Sequence, residues 1–154
     1  MALMQGLDRS RGCAFADSPE HMPIQRMANV SLQSAPGGPS AEELIAGVED
    51  GIYIAGDKSW SIDMQRYNFQ FTGQRFYKIS NGRLAGQLRD VAYQSVTTDF
   101  WYSMEAVGGP QTYVLGGAFN CGKGQPGQVA PVSHGCPTAV FRGIRILNTA
   151  EEGA

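Results

Sequence analysis

Cys121, His134 and Cys136 are side chains whose types and spacing could do chemistry. A thiolate is both a nucleophile and a metal ligand, and an imidazole can serve as base or as a second ligand. Residues 116–137, which hold all three, also contain six glycines and three prolines and almost no aliphatic bulk. Such a composition cannot bury a hydrophobic face. It predicts a long irregular loop on a rigid scaffold, and long loops inside compact domains are usually functional.

Three chemistries compete on residue type alone. Cys121, His134 and Cys136 offer zinc a sulfur, a nitrogen and a sulfur, although their separations lack the paired short spacings of a zinc finger. Alternatively a cysteine is a nucleophile with histidine as its base. Ser133-His134-Gly135-Cys136 resembles the core motif of the L,D-transpeptidases, but Pro137 and Thr138 stand where that family has an aliphatic residue and arginine. The third reading is two unreactive thiols and a surface imidazole in a turn-rich loop.

The elements that must position these residues follow from patterning. Residues 1–39 are polar and broken by Pro19, Pro23, Pro36 and Pro39, which predicts an extended arm, with residues 27–32 able to pair as a strand. Ser40-Ala41-Glu42-Glu43 carries a capping-box signature, so a helix of about two turns starts there, places Leu44, Ile45 and Val48 on one face, and is stopped by Gly47 with the Asp50-Gly51 pair. Residues 51–54 predict a strand, then Gly56-Asp57-Lys58-Ser59 a turn. Tyr67, Phe69 and Phe71 alternate with polar residues as in a half-buried strand, and residues 75–79 predict another. Asn81-Gly82 is a type I′ hairpin signal, after which residues 83–94 return antiparallel with a kink at Gly86. Thr97 or Thr98 is expected to cap a second helix carrying Phe100, Trp101, Met104 and Val107. Strands are expected at 112–115 and around Val140, Ile144 and Ile146. The fold class expected is α+β: a curved, mainly antiparallel β-sheet with two short helices and the long Gly/Pro-rich loop. Its parts are an arm (1–39), one domain (40–149) and a tail (150–154).

Composition narrows the function classes. The 154 residues are 42% hydrophobic with a formal net charge of −2, which suits one globular domain and gives no bulk basic surface for nucleic acid or an anionic membrane. Three sparse cysteines, no run of about 20 apolar residues and no signal-like start fit a cytoplasmic protein in a reducing compartment.

Longer segments carry a resemblance. Pro23-Ile24-Gln25-Arg26-Met27-Ala28-Asn29, residues 40–53, Asn81-Gly82-Arg83-Leu84 and Asn120-Cys121-Gly122-Lys123-Gly124-Gln125 occur in the order seen in the TldD/PmbA family. From about residue 11 to residue 148 the chain resembles the C-terminal portion of a TldD-like protein. Members have been called modulators of DNA gyrase and are regarded as zinc-dependent peptidases. Their zinc is held by two histidines of a His-Glu-x-x-x-His helix and by a cysteine, which the resemblance maps to Cys121. It also implies a peptide substrate and a homodimer or a TldE/PmbA-like subunit as partner. Lys123, Gln125 and His134 are the candidate substrate-binding residues. His21 is followed by Met22 and His134 by Gly135, so the histidine motif is absent from these residues. The expectation is a C-terminal metallopeptidase domain, truncated or stand-alone, that needs the missing histidines for zinc and is inactive by itself. A non-catalytic peptide-binding module is the alternative. Tyr67-Phe69-Phe71 and Phe100-Trp101-Tyr102 are candidates for a surface left bare by a missing domain, with core packing as the default.

Overall fold

A computed structural model describes residues 6, 8–9, 12–26, 29–124 and 126–150. In chain order the elements are β1 (Ala14–Phe15), β2 (Ile24–Gln25), α1 (Ala41–Ala46), β3 (Asp50–Ile62), β4 (Asn68–Ser80), β5 (Arg83–Leu88), β6 (Val91–Val96), α2 (Thr97–Tyr102), β7 (Met104–Val107), β8 (Val114–Lys123), β9 (Gln128–Cys136), β10 (Ala139–Phe141) and β11 (Arg145–Asn148). All strand pairs are antiparallel. The α+β expectation with its two short helices therefore holds. The elements cluster into two compact units, one joining the chain up to Gln33 with Tyr113–Cys136, the other joining Ser34–Thr112 with the chain from Pro137.

The second unit is built on β4, which pairs with β3 along one edge and shares its other edge between β6, at Asn68–Phe71, and β5, at Phe76–Ser80. β11 extends the sheet beyond β6. Phe69 is buried and stacks on Phe71 at 4.6 Å, as the alternation predicts, while Tyr67 just before the strand is exposed. Phe100 of α2 meets Phe69 edge-on at 5.2 Å and stacks on Phe141 of β10 at 4.0 Å, so helix and sheet share one aromatic core. Core packing thus accounts for Phe69 and Phe100, whereas Trp101 and Tyr102 remain exposed.

Local signals with a hydrogen-bond mechanism are realised as read. The Ser40 hydroxyl accepts from the Glu43 amide at 3.2 Å and the Glu43 carboxylate accepts from the Ser40 amide at 2.7 Å. Asn81 and Gly82 take φ of 49° and 72°, the positive values of a type I′ turn. That turn is also tied to the end of α1, since Asn81 donates to the Glu49 carbonyl at 2.6 Å and Gly82 to that of Val48 at 2.9 Å. The kink at Gly86 is a bulge, with Gly86 opposite Lys78 and Leu84 opposite Ile79.

Other expectations change for identifiable reasons. The turn read at 56–59 is a bulge inside β3: Gly56 bends the strand at φ 73°, but Asp57 pairs with Gly73 and Ser59 with Thr72, so β3 runs on opposite β4. Residues 68–71 and 75–79 accordingly belong to one strand, β4. Neither threonine caps α2, whose N-cap is Val96; the Thr97 hydroxyl donates instead to the Arg66 carbonyl at 2.7 Å. Met104 and Val107, expected on that helix, lie in β7 because pairing with β10 outweighs the helical spacing. The largest change is at 116–137, expected to be an irregular loop. Within it, residues 116–123 and 128–136 lie in the β8–β9 ribbon, a regular ladder interrupted by one bulge. Glycine permits this: a Cβ on Gly117 would stand 2.3 Å from the Val132 carbonyl oxygen.

The Gly82 turn gives a direct test. A Cβ there would lie 2.6 Å from the Ala46 carbonyl oxygen at φ +72°, whereas Gly143 has a similar φ of +66° with nothing within 4 Å. Gly143→Ala should cost about 1–2 kcal/mol for the left-handed backbone alone. Gly82→Ala should cost about 3 kcal/mol. Urea denaturation of the two variants beside the parent checks the ordering.

Candidate functional site

The first unit carries the site. Along β8–β9, Cys121 pairs with Ala130, Gly122 with Val129 and Lys123 with Gln128. Side chains of directly paired residues share a face, so Cys121 lies with Ala130, Gln128 and Val132, all buried. Cys121 itself is half-buried, while Val114–Asn120 of the same strand are exposed. The bulge sits just before Cys121, where Phe119 and Asn120 oppose Pro131. That bulge re-aims the strand at the cysteine.

The polar arm is ordered against the outer edge of β9. The Val129 amide donates to the Asp17 carboxylate at 2.9 Å, the Ser133 amide to Asn29 Oδ1 at 2.9 Å, and the Gly135 amide to Ser31 Oγ at 3.1 Å. The Leu32 amide donates to the Gly135 carbonyl at 3.0 Å. Buried Gln128 donates through Nε2 to the Met22 carbonyl at 2.9 Å. Asn29 to Leu32 thus lie beside β9 without forming a strand; Met27 and Ala28, included in that expectation, fall outside the described residues.

The opposite edge is bare. Main-chain groups of an antiparallel strand alternate in direction, and Val129, Ser133 and Gly135 point away from β8. Their partners Gly122, Gly117 and Leu115 therefore point away from β9, and among the described residues no hydrogen bond reaches them.

The candidate residues are not gathered into one centre. His134 is four positions along β9 from Ala130, the partner of Cys121, which at a strand rise of about 3.3 Å puts the two ~13 Å apart. One ion cannot bridge them. Among the described residues no three His, Cys, Asp or Glu side chains converge on a metal position. The zinc set of Cys121, His134 and Cys136 is therefore not assembled. His134 is half-buried, with Nδ1 3.0 Å from the Val30 carbonyl and 3.2 Å from its amide. The ring is tied to the arm through Nδ1, and Cys136 is exposed. The Lys123 ammonium donates to the Gln25 carbonyl. Gln125 lies outside the described residues.

Sequence reasoning gave no role to Arg26, Asp17 or Gln128. Arg26 is 7% exposed, and its Nη2 donates to the Cys121 carbonyl at 2.5 Å. A cation flanked by prolines in a polar arm reads as solvated, and only its place in the segment of residues 23–29 hinted otherwise. Asp17 accepts from Val129 and lies 2.6 Å from His21 Nδ1. The bond with His21, then that with the Val129 amide, holds its carboxyl below the usual carboxylate range.

Residues 6–148 match the family described as the PmbA/TldA metallopeptidase C-terminal domain. Over 127 residues the chain is 32% identical to a metalloprotease of Methanothermobacter thermautotrophicus, covering 82% of this chain and 26% of that protein. Over 113 residues it is 33% identical to a metalloprotease of Methanocaldococcus jannaschii, covering 73% and 24%. The chain therefore spans roughly a quarter of these relatives' length, 26% and 24%. The crystal structure of TldE from Thermococcus kodakarensis superposes with a TM-score of 0.57 over 93% of this chain and 29% of that one, at 14% identity, a likeness of fold.

The Asp17 contacts set a pH dependence. A carboxyl whose folded pKa is depressed contributes stability above its unfolded pKa, about 3.9, and loses it as pH falls through the lower folded value. Attachment of the arm to β9 should therefore weaken on acidification below about pH 4. Limited proteolysis with an acid-stable protease should show arm cleavage rising over that range in the parent. In Asp17→Asn cleavage should already be faster at neutral pH and change less.

Proposed function

We propose that this chain, which belongs to the PmbA/TldA metallopeptidase family as its C-terminal domain, contributes one zinc ligand and part of the peptide seat to a zinc-dependent peptidase. Cys121 is the ligand, by resemblance to the family's Cys-Gly-Lys segment. Zinc is usually held by at least three protein donors, and the described residues of this chain do not supply that set. The histidine ligands would come from residues beyond these 154, and no step of hydrolysis is assigned to the chain alone.

One observation carries the reading: the strand that bears Cys121 also has a main-chain edge, at Leu115, Gly117 and Gly122, that no hydrogen bond reaches among the described residues. An extended peptide can add to such an edge, its backbone amides and carbonyls completing the ladder. Leu115 and Phe119, both exposed, are apolar surface along that path. His134, whose Nδ1 is engaged with Val30, keeps Nε2 for a substrate or partner contact, whereas Lys123 is committed to Gln25. The fold likeness to TldE supports a TldE-type subunit as partner, with a second copy of the chain as the other candidate.

Two measurements test this. Zinc content and peptide hydrolysis of the purified chain, with Cys121→Ser alongside, should give substoichiometric metal, lowered further in the variant, and no cleavage. One tightly held zinc that survives Cys121→Ser would reject the ligand assignment. For the seat, fluorescence anisotropy with an extended peptide should show weak binding that is lost when alternate backbone amides are N-methylated. Equal binding of the methylated peptide would reject edge pairing.

A further inference from the structure

A guanidinium is costly to bury, and burial is normally offset by an anion. Arg26 is 7% exposed, and among the described residues it takes part in no ion pair. Its Nε is buried without a partner. The side-chain bond it does make goes to the Cys121 carbonyl at 2.5 Å, while its own amide donates to the Cys13 carbonyl at 2.7 Å. One residue earlier, the Gln25 carbonyl accepts the Lys123 ammonium. Residues 25 and 26 are thus cross-linked to β8 on both sides of Gly122. A Cβ built on Gly122 meets nothing within 4 Å, so side-chain packing does not hold the strand there. It is also the strand's bulged end, where the ladder itself is irregular.

We infer that Arg26 is a positioning residue for Cys121: its buried guanidinium pins the Cys121 peptide group and thereby fixes how the thiol is presented. The inference rests on Cys121 being the metal ligand of the proposed function. It explains why a buried cation with an unsatisfied nitrogen stands in an otherwise polar arm. A bond to a ligand's own carbonyl is an outer contact of the kind that sets ligand direction.

Alkylation of the whole chain by iodoacetamide, with Cys121 and Cys136 followed separately by peptide mass analysis, tests the pin without metal. Compared at full ionisation of the thiol, so that loss of the nearby cation does not enter through the thiolate fraction, the Cys121 rate should rise severalfold in Arg26→Met while the Cys136 rate stays at the parental value. Arg26→Lys, which keeps a donor, should restore most of the protection. An unchanged Cys121 rate in Arg26→Met, or a parallel rise at Cys136, would overturn the inference, the second because it reports loosening of the whole ribbon. If Arg26→Met does not fold, Lys123→Met decides: parental Cys121 protection supports Arg26 as the pin, and loss of protection assigns it to Lys123. Cadmium added to the same samples separates this inference from the reading beneath it. A cadmium–thiolate absorbance lost in Cys121→Ser supports Cys121 as a ligand. A cadmium–thiolate absorbance that persists unchanged in Cys121→Ser removes the ligand role, while the alkylation rates still decide whether Arg26 pins the strand.

Discussion

Backbone amides at a covered strand edge, shielded from water, must find protein acceptors, and the arrangement around Cys121 depends on how the outer edge of β9 finds its own. Val129, Ser133 and Gly135 donate to Asp17, Asn29 and Ser31. The remaining outward position between them is Pro131, which has no amide to satisfy. The edge is closed by side chains of a polar segment, so the arm needs little apolar surface of its own. Ordering the arm then brings Arg26 to the Cys121 carbonyl and Lys123 to Gln25. Closing one edge of the ribbon thus fixes the cysteine and leaves β8 as the edge that can accept another chain.

The two units solve burial differently. In the second, aromatic packing of Phe69, Phe100 and Phe141 gives a core that tolerates exposed Tyr67 and Trp101 at its margins. In the first, buried Arg26 and Gln128 stand beside the small residues Ala130 and Val132. Such an interior is specified by hydrogen-bond direction more than by volume.

This contrast explains what was legible in the sequence. Ser40 with Glu43, and Asn81 with Gly82, act through bonds or dihedrals local to a few residues, and both are realised. The α+β class was legible in the order of helical and strand patterns, and the family in the segments around residues 23–29 and 120–125. The ribbon was not legible: glycines and prolines that signal a loop in isolation serve here as close approach at Gly117 and as a donor-free edge position at Pro131. Partners 95 or more residues away cannot be inferred from periodicity, as with Arg26 and Cys121. The bulge at Asp57–Ser59 was misread because a positive-φ glycine marks a bend as readily as a reversal.

The first unit is drawn from two stretches of chain, one ending at Gln33 and the other beginning at Tyr113. The β3–β4 hairpin and its neighbours close short loops and can form early, whereas the arm and ribbon meet only after a long excursion of chain is bridged. Each doubling of such a loop adds only about 0.6 kcal/mol, but contacts across it form slowly. The cysteine ribbon can zip up as a hairpin on its own, yet the arm that holds its geometry arrives late. Long-range closure thus separates the making of the Cys121 ribbon from the making of its final surroundings, which depend on contacts that are slow to form.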